Sequence, residues 1–135
     1  MDTNNIKKYN NLLYYSSYKT IISVIWGVYW GKYDYSLLCF IVFLTSINYW
    51  KNPIKGTRRN IDMFACWCSV IYHLKKSNSV KNIPKKIIML YNLLVMTCGY
   101  LYFKGSLSEN IVFGLKLHSH MHTLGNIANL FLYPY

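Results

Sequence analysis

Long apolar runs alternate with short basic connections along this chain, and the pattern predicts a bundle of membrane helices. The run over residues 35–50 holds no charged residue, ends in Tyr49 and Trp50, and is followed at once by Lys51 and further cations. An apolar stretch closed by aromatic residues and then by cations is typical of a helix leaving a bilayer. The fold class predicted is all-α, a multi-pass transmembrane bundle of four or five helices.

The five predicted helices belong to a single helical membrane domain over 11–135, which follows a polar N-terminal tail over 1–10. They cover residues 12–30, 35–50, 61–74, 87–103 and 107–133. Asn60 is placed as the N-cap of the third helix, and Ser106 to Glu109 have the pattern of a capping box for the fifth. The third helix is short, so a re-entrant segment is left open as an alternative to a span.

Composition and charge indicate lipid as the main partner. The chain has 15 Lys and Arg against 4 Asp and Glu, yet only 14% of its residues are charged, compared with about 25% in soluble domains. Because the cations lie between apolar runs, we expect them to contact the anionic headgroups of a lipid bilayer, or other membrane proteins, and not nucleic acid. The predicted location is a multi-pass integral membrane position, in an endomembrane or a virion membrane. The composition, rich in Asn, Lys, Ile and Tyr, is similar to that of small membrane proteins of giant DNA viruses.

The most chemically suggestive string lies in the fifth predicted helix. His118 and His122 are one helical turn apart on one face, a usual spacing for two metal ligands. Asn126 and Asn129 continue the same face, with Gly125 beside them to let another helix approach closely. The alternative reading is that these side chains hydrogen-bond between helices. Polar residues deep in a bilayer are costly, which favours one of these two roles over lipid contact.

Asp62 and Ser46 are the candidate catalytic residues. Asp62 stands near the start of an apolar helix, where the helix dipole and the neighbouring Arg58 and Arg59 would stabilise a carboxylate. The functional alternative is a buried carboxylate that holds a metal-bound water or acts as a base. Ser46 lies near the end of the preceding helix, so one connection brings both residues to the same membrane face.

The order of these residues resembles the CREST superfamily, which includes the alkaline ceramidases and the adiponectin-receptor-like proteins. Those are seven-helix membrane proteins with an intramembrane zinc, and several hydrolyse lipid amides. The resemblance implies that His118 and His122 bind zinc, and that Asp62 and Ser46 hold the zinc-bound water. The family carries a third histidine four residues after the serine, where this chain has Trp50.

The missing histidine leaves the third zinc ligand open. The other candidates in the sequence are Asn48, His73 and His120. Two functions follow from this. One is a minimal zinc-dependent membrane hydrolase that acts on a lipid or an amide. The other is a non-catalytic structural or interaction protein of a viral or endomembrane bilayer, in which the polar residues bond helices together.

Overall fold

Six helices form in the residues that this computed structural model describes, which are 3–54 and 56–135, with side chains described from residue 7. No strand occurs in those two ranges, so the predicted all-α class is confirmed. The helices are α1 (Thr3–Ser17), α2 (Thr20–Tyr29), α3 (Tyr33–Trp50), α4 (Thr57–Ser79), α5 (Lys85–Ser106) and α6 (Ile111–Leu132).

The first predicted helix is two helices, α1 and α2, and the predicted polar tail is helical from Thr3 onward. The break falls at Tyr18 and Lys19, whose backbone amides bond three residues back instead of four. Just before it, Ser16 and Ser17 both donate their hydroxyls to the carbonyl of Leu13, at 3.0 and 2.9 Å. Serine hydroxyls that bond to their own backbone weaken and bend a helix, which gives the break a local cause.

Helix α4 is longer than predicted. It begins at Thr57, with Gly56 as its N-cap, and continues for 23 residues. Asn60 therefore lies inside the helix, and its predicted capping role is wrong. At about 1.5 Å per residue, α4 is roughly 34 Å long, so the segment is not a re-entrant hairpin. The two basic connections that flank α4 consequently lie at opposite ends of the bundle.

The junction of α5 and α6 also differs from the sequence pattern. Helix α5 runs through Ser106, so the predicted capping box is wrong. The cap of α6 is Asn110, whose side-chain oxygen accepts from the backbone N–H of Phe113 at 3.1 Å. Just beyond this turn, α5 and α6 come very close at Gly105 and Gly114, since a Cβ on Gly114 would lie 2.7 Å from the Gly105 carbonyl oxygen.

The interior of the bundle is unusually polar, whereas its outer surface is apolar. Among the residues whose side chains are described, nine polar or charged ones are buried, seven of them serines, with Asp62 and His73 as the other two. Large apolar side chains face outward, among them Met96 at 74% exposure and Phe64 at 72%. Among the described residues one helix, α5, is by its own length and apolar composition able to cross a membrane.

The helices pack in an order that leaves a gap. Helix α2 packs on α3, α3 on α4, α5 on α6, and α1 on α6, whereas α4 contacts α5 only sparsely. Near the C-terminal end of α4, Lys76 and Tyr72 both bond the carboxylate of Asp34, the tyrosine hydroxyl at 2.6 Å. These bonds hold α4 to the start of α3. The gap between α4 and the α5–α6 pair forms a cavity.

Candidate functional site

All four residues predicted from the sequence line one cavity of about 250 Å³. Ser46 comes from α3, Asp62 from α4, and His118 and His122 from α6. The lining of α4 extends from residue 62 to 73 and that of α6 from 118 to 129. Eleven residues of helix rise by about 16 Å, so the cavity is elongated along the bundle. We call it the slot.

Asp62 is held by hydroxyl groups and not by a cation. It is 7% exposed, and its Oδ1 accepts from Ser46 Oγ at 2.6 Å. Thr45 Oγ1 lies 3.0 Å from the same oxygen and shares its single hydroxyl hydrogen between Asp62 and the Val42 carbonyl. The expected ion pair with Arg58 or Arg59 does not form, since no lysine or arginine nitrogen of the described residues lies within salt-bridge distance of Asp62. The other carboxylate oxygen, Asp62 Oδ2, has no hydrogen-bond partner among the described residues. Asp62 thus presents a free acceptor in the slot.

The tautomer of His122 follows from its neighbour on α1. Ser16 uses its only hydroxyl hydrogen in the bond to Leu13, so its oxygen accepts from His122 Nδ1–H, at 2.9 Å. A neutral imidazole protonated on Nδ1 keeps a lone pair on Nε2. The ring of His122 lines the slot. Its Nε2 is therefore the nitrogen able to bind a ligand there.

His118 lies in an aromatic setting. Its ring centroid is 5.0 Å from that of His122 and 5.2 Å from that of Trp50, both in edge-to-face contact. Trp50 is 6% exposed, and its Nε1 has no hydrogen-bond partner among the described residues. Trp50, where the sequence resemblance called for a third histidine, thus lies directly beside His118.

The side chains present do not complete a zinc site. Among the described residues, no three of the His, Cys, Asp and Glu side chains are grouped closely enough to hold a metal ion. Catalytic zinc sites use three protein ligands and one water. His118 and His122 supply two ligands, one fewer than such a site needs. Asp62 does not supply the third through Oδ1, because that oxygen already accepts from hydroxyl groups.

The alternative third ligands lie elsewhere. Asn48 and His120 are both exposed and do not line the slot. His73 does line it, but eleven residues further along α4 than Asp62, where both of its ring nitrogens are already hydrogen-bonded. Gly125, expected to admit a neighbouring helix, has no atom within 4 Å of its Cβ position and borders the slot instead.

His73 belongs to a buried hydrogen-bond chain at the far end of the slot. Its Nδ1 lies 2.7 Å from the carbonyl of Ser69, which can only accept, so Nδ1 carries the proton of the neutral ring. Tyr133 then donates to His73 Nε2 at 2.8 Å. Because that uses the phenolic hydrogen, the Cys39 thiol donates to the Tyr133 oxygen, at 3.1 Å. Asn129 in turn donates to Cys39 Sγ at 3.4 Å.

Asn126 and Asn129, both on α6, connect this hydrogen-bond chain to α2. Ser23 donates to Asn126 Oδ1 at 2.6 Å, and Asn129 Nδ2 lies 3.4 Å from the Ser23 oxygen. The predicted role of these residues as bonds between helices is therefore seen. Sequence reasoning missed Tyr133, although it continues the face of Asn126 and Asn129 at helical spacing.

Removing the phenolic hydroxyl of Tyr133 should destabilise the bundle. The Tyr133→Phe variant leaves the buried His73 Nε2 without its donor and the Cys39 thiol without its acceptor, at a cost of about 1–3 kcal/mol in unfolding free energy. The matched control is Tyr135→Phe, because Tyr135 is 43% exposed and two residues further on. Thermal unfolding in detergent measures both variants. Equal midpoints for the two would contradict the hydrogen-bond chain.

Comparison with known proteins adds no relative: the chain matches no protein-family model, no curated protein and no solved structure.

Proposed function

We propose that this chain is a small multi-pass membrane protein that binds the apolar part of a membrane lipid in the slot. The observation that carries the proposal is the slot itself, a long cavity with mostly apolar walls inside a bundle whose outer surface is also apolar. A mostly apolar cavity with a few convergent polar groups is the usual form of a ligand site. This is a non-catalytic role, and it develops the second of the two functions expected from the sequence.

The membrane part of the proposal rests on the distribution of side chains. Small polar residues between helices and large apolar residues outside are the arrangement of a bundle solvated by lipid, where serines permit close helix packing. Helices α3 to α6 have 18 to 23 residues each, or roughly 27–34 Å. These lengths suit a hydrocarbon core of about 30 Å. The cations at both ends of α4 would then lie at the two headgroup layers.

Lipid access is supported by the packing of α4. This helix is held on α3 but contacts α5 only sparsely, so the slot opens sideways between α4 and α5. In a bilayer such an opening faces the acyl chains. A lipid tail can enter laterally without its headgroup crossing the hydrocarbon core.

The test is competition for the slot by a bulky side chain. Gly99 lines the slot on α5, and nothing lies within 4 Å of its Cβ position. We expect Gly99→Trp to fill the slot and to reduce saturable binding of a radiolabelled fatty alcohol by at least about tenfold in nanodiscs. The control is Met96→Trp, on the outward face of the same helix at 74% exposure. Equal binding by the two variants would overturn the proposal.

A minimal zinc-dependent lipid or amide hydrolase is the second candidate. It is favoured by one observation, the presence of Ser46, Asp62, His118 and His122 around a single cavity. It ranks second because the third zinc ligand is missing among the described residues. A stoichiometric zinc in the purified wild-type protein, lost in the His118→Ala/His122→Ala variant, would reverse the ranking.

A further inference from the structure

We propose that the ligand of the slot carries a protonated amine, which Asp62 binds through Oδ2 while the alkyl chain lies along the slot. The inference rests on the proposed function and names the chemical class of its ligand. It rests on three features of the slot: the carboxyl group of Asp62, the aromatic rings of Trp67 and Tyr102, and the length of the cavity.

When Asp62 is ionised, its carboxylate lacks a counter-ion among the described residues. A buried carboxylate is costly unless it is paired with a cation or neutralised. Its two hydroxyl donors, Thr45 and Ser46, both bond Oδ1 and so help to hold the ionised form, but they supply no positive charge. Oδ2 is left to accept from whatever enters the slot. An ammonium group provides both the missing charge and the missing donors.

The groups packed around Asp62 offer no substitute. Cys66, one turn further along α4, and His118, across the slot on α6, carry no charge as a thiol and as a neutral imidazole. Arg58 and Arg59, at the start of α4, are exposed or half-buried and form no ion pair with Asp62. The cation that would complete the site must therefore come from outside the described protein.

Two aromatic rings, those of Trp67 and Tyr102, also line the slot. Their centroids are 6.4 Å apart in edge-to-face contact, and the Tyr102 hydroxyl bonds the sulfur of Met63, the residue after Asp62, at 3.7 Å. Aromatic rings that line the same cavity as a carboxylate favour a cation over an anion or a neutral group, because a cation is attracted to a ring face. They also give the carbon next to the amine an apolar contact.

The rest of the slot fits an unbranched tail. Between Asp62 and His73 the walls of the slot are formed mainly by apolar side chains, including Val70, Val95 and Met121. The length of about 16 Å and the small volume favour one extended chain over a ring system or a two-chain lipid. An amphiphile with one amine and one alkyl chain matches both ends of the cavity.

The experiment compares three single-chain probes of equal length on the full chain in nanodiscs of neutral phosphatidylcholine. The probes are dodecylamine, dodecanol and dodecanoate, each titrated at the same fraction of the lipid and followed by intrinsic tryptophan fluorescence. We expect the wild-type protein to bind dodecylamine at least about tenfold more tightly than dodecanol, and dodecanoate most weakly. In Asp62→Asn the preference for the amine should disappear, so that dodecylamine no longer binds more tightly than dodecanol.

The matched control is Glu109→Gln, which removes an exposed carboxylate outside the slot and should keep the amine preference. Equal, saturable binding of dodecylamine and dodecanol to the wild type would overturn the amine inference while the lipid slot stands. Binding of neither probe in a saturable manner would overturn both. If Asp62→Asn does not fold, the order of the three probes on the wild-type protein decides the question alone.

Discussion

Adding a single methyl group at Gly114 should destabilise the bundle by about 2 kcal/mol or more. In the Gly114→Ala variant the new Cβ would lie 2.7 Å from the carbonyl oxygen of Gly105. That oxygen belongs to the backbone of α5 and cannot rotate away, unlike the end of a side chain. Helices α5 and α6 would have to separate, at the point where they approach most closely. Small residues at such crossings are what allows membrane helices to pack.

Gly99→Ala is the matched control, since it makes the same change on α5 at a position with no atom within 4 Å of the added carbon. There alanine should be neutral, or stabilising by up to about 1 kcal/mol through its higher helix propensity. Thermal unfolding of both variants in the same detergent gives the comparison. The close packing of α5 on α6 would be refuted if Gly114→Ala unfolded at or above the midpoint of Gly99→Ala.

The helices could be predicted from the sequence, but their ends could not. Apolar runs identify α3 to α6, because burial of apolar surface decides where long helices form. Ends depend on caps, and the chain offers several polar residues that compete for that role. Asn110 caps α6 although Ser106 and Glu109 have the stronger pattern, and α4 starts at Thr57, three residues before Asn60.

The candidate site could be predicted as far as local geometry reaches. Ser46 and Asp62 flank one connection between antiparallel helices, and their bond follows from that topology. The bonds of Ser16 to His122 and of His73 to Tyr133 join residues 106 and 60 positions apart. No local pattern links such residues, because only the packing of α1 and α4 in the bundle brings them together.

Replacing Trp50 with histidine should complete a zinc site that the described residues of the wild-type chain do not form. The ring centroid of Trp50 lies 5.2 Å from that of His118, and the centroids of His118 and His122 are 5.0 Å apart. Its Nε1 is buried without a partner, so an imidazole placed there loses no hydrogen bond. Trp50→His would bring three imidazoles to one end of the slot. Three histidines and an open fourth position form a common zinc site.

We expect about one zinc per chain in purified Trp50→His and a substoichiometric amount in the wild type, since three ligands hold zinc and two hold it weakly. Metal content measured after dialysis gives the comparison. The control is the Trp50→His/His118→Ala variant, which keeps the new histidine, removes an old one and should lose the metal. Metal that persists in this control would place the zinc elsewhere. A Trp50→His protein that folds without zinc would show that the CREST-like order of residues lacks the geometry of a metal centre.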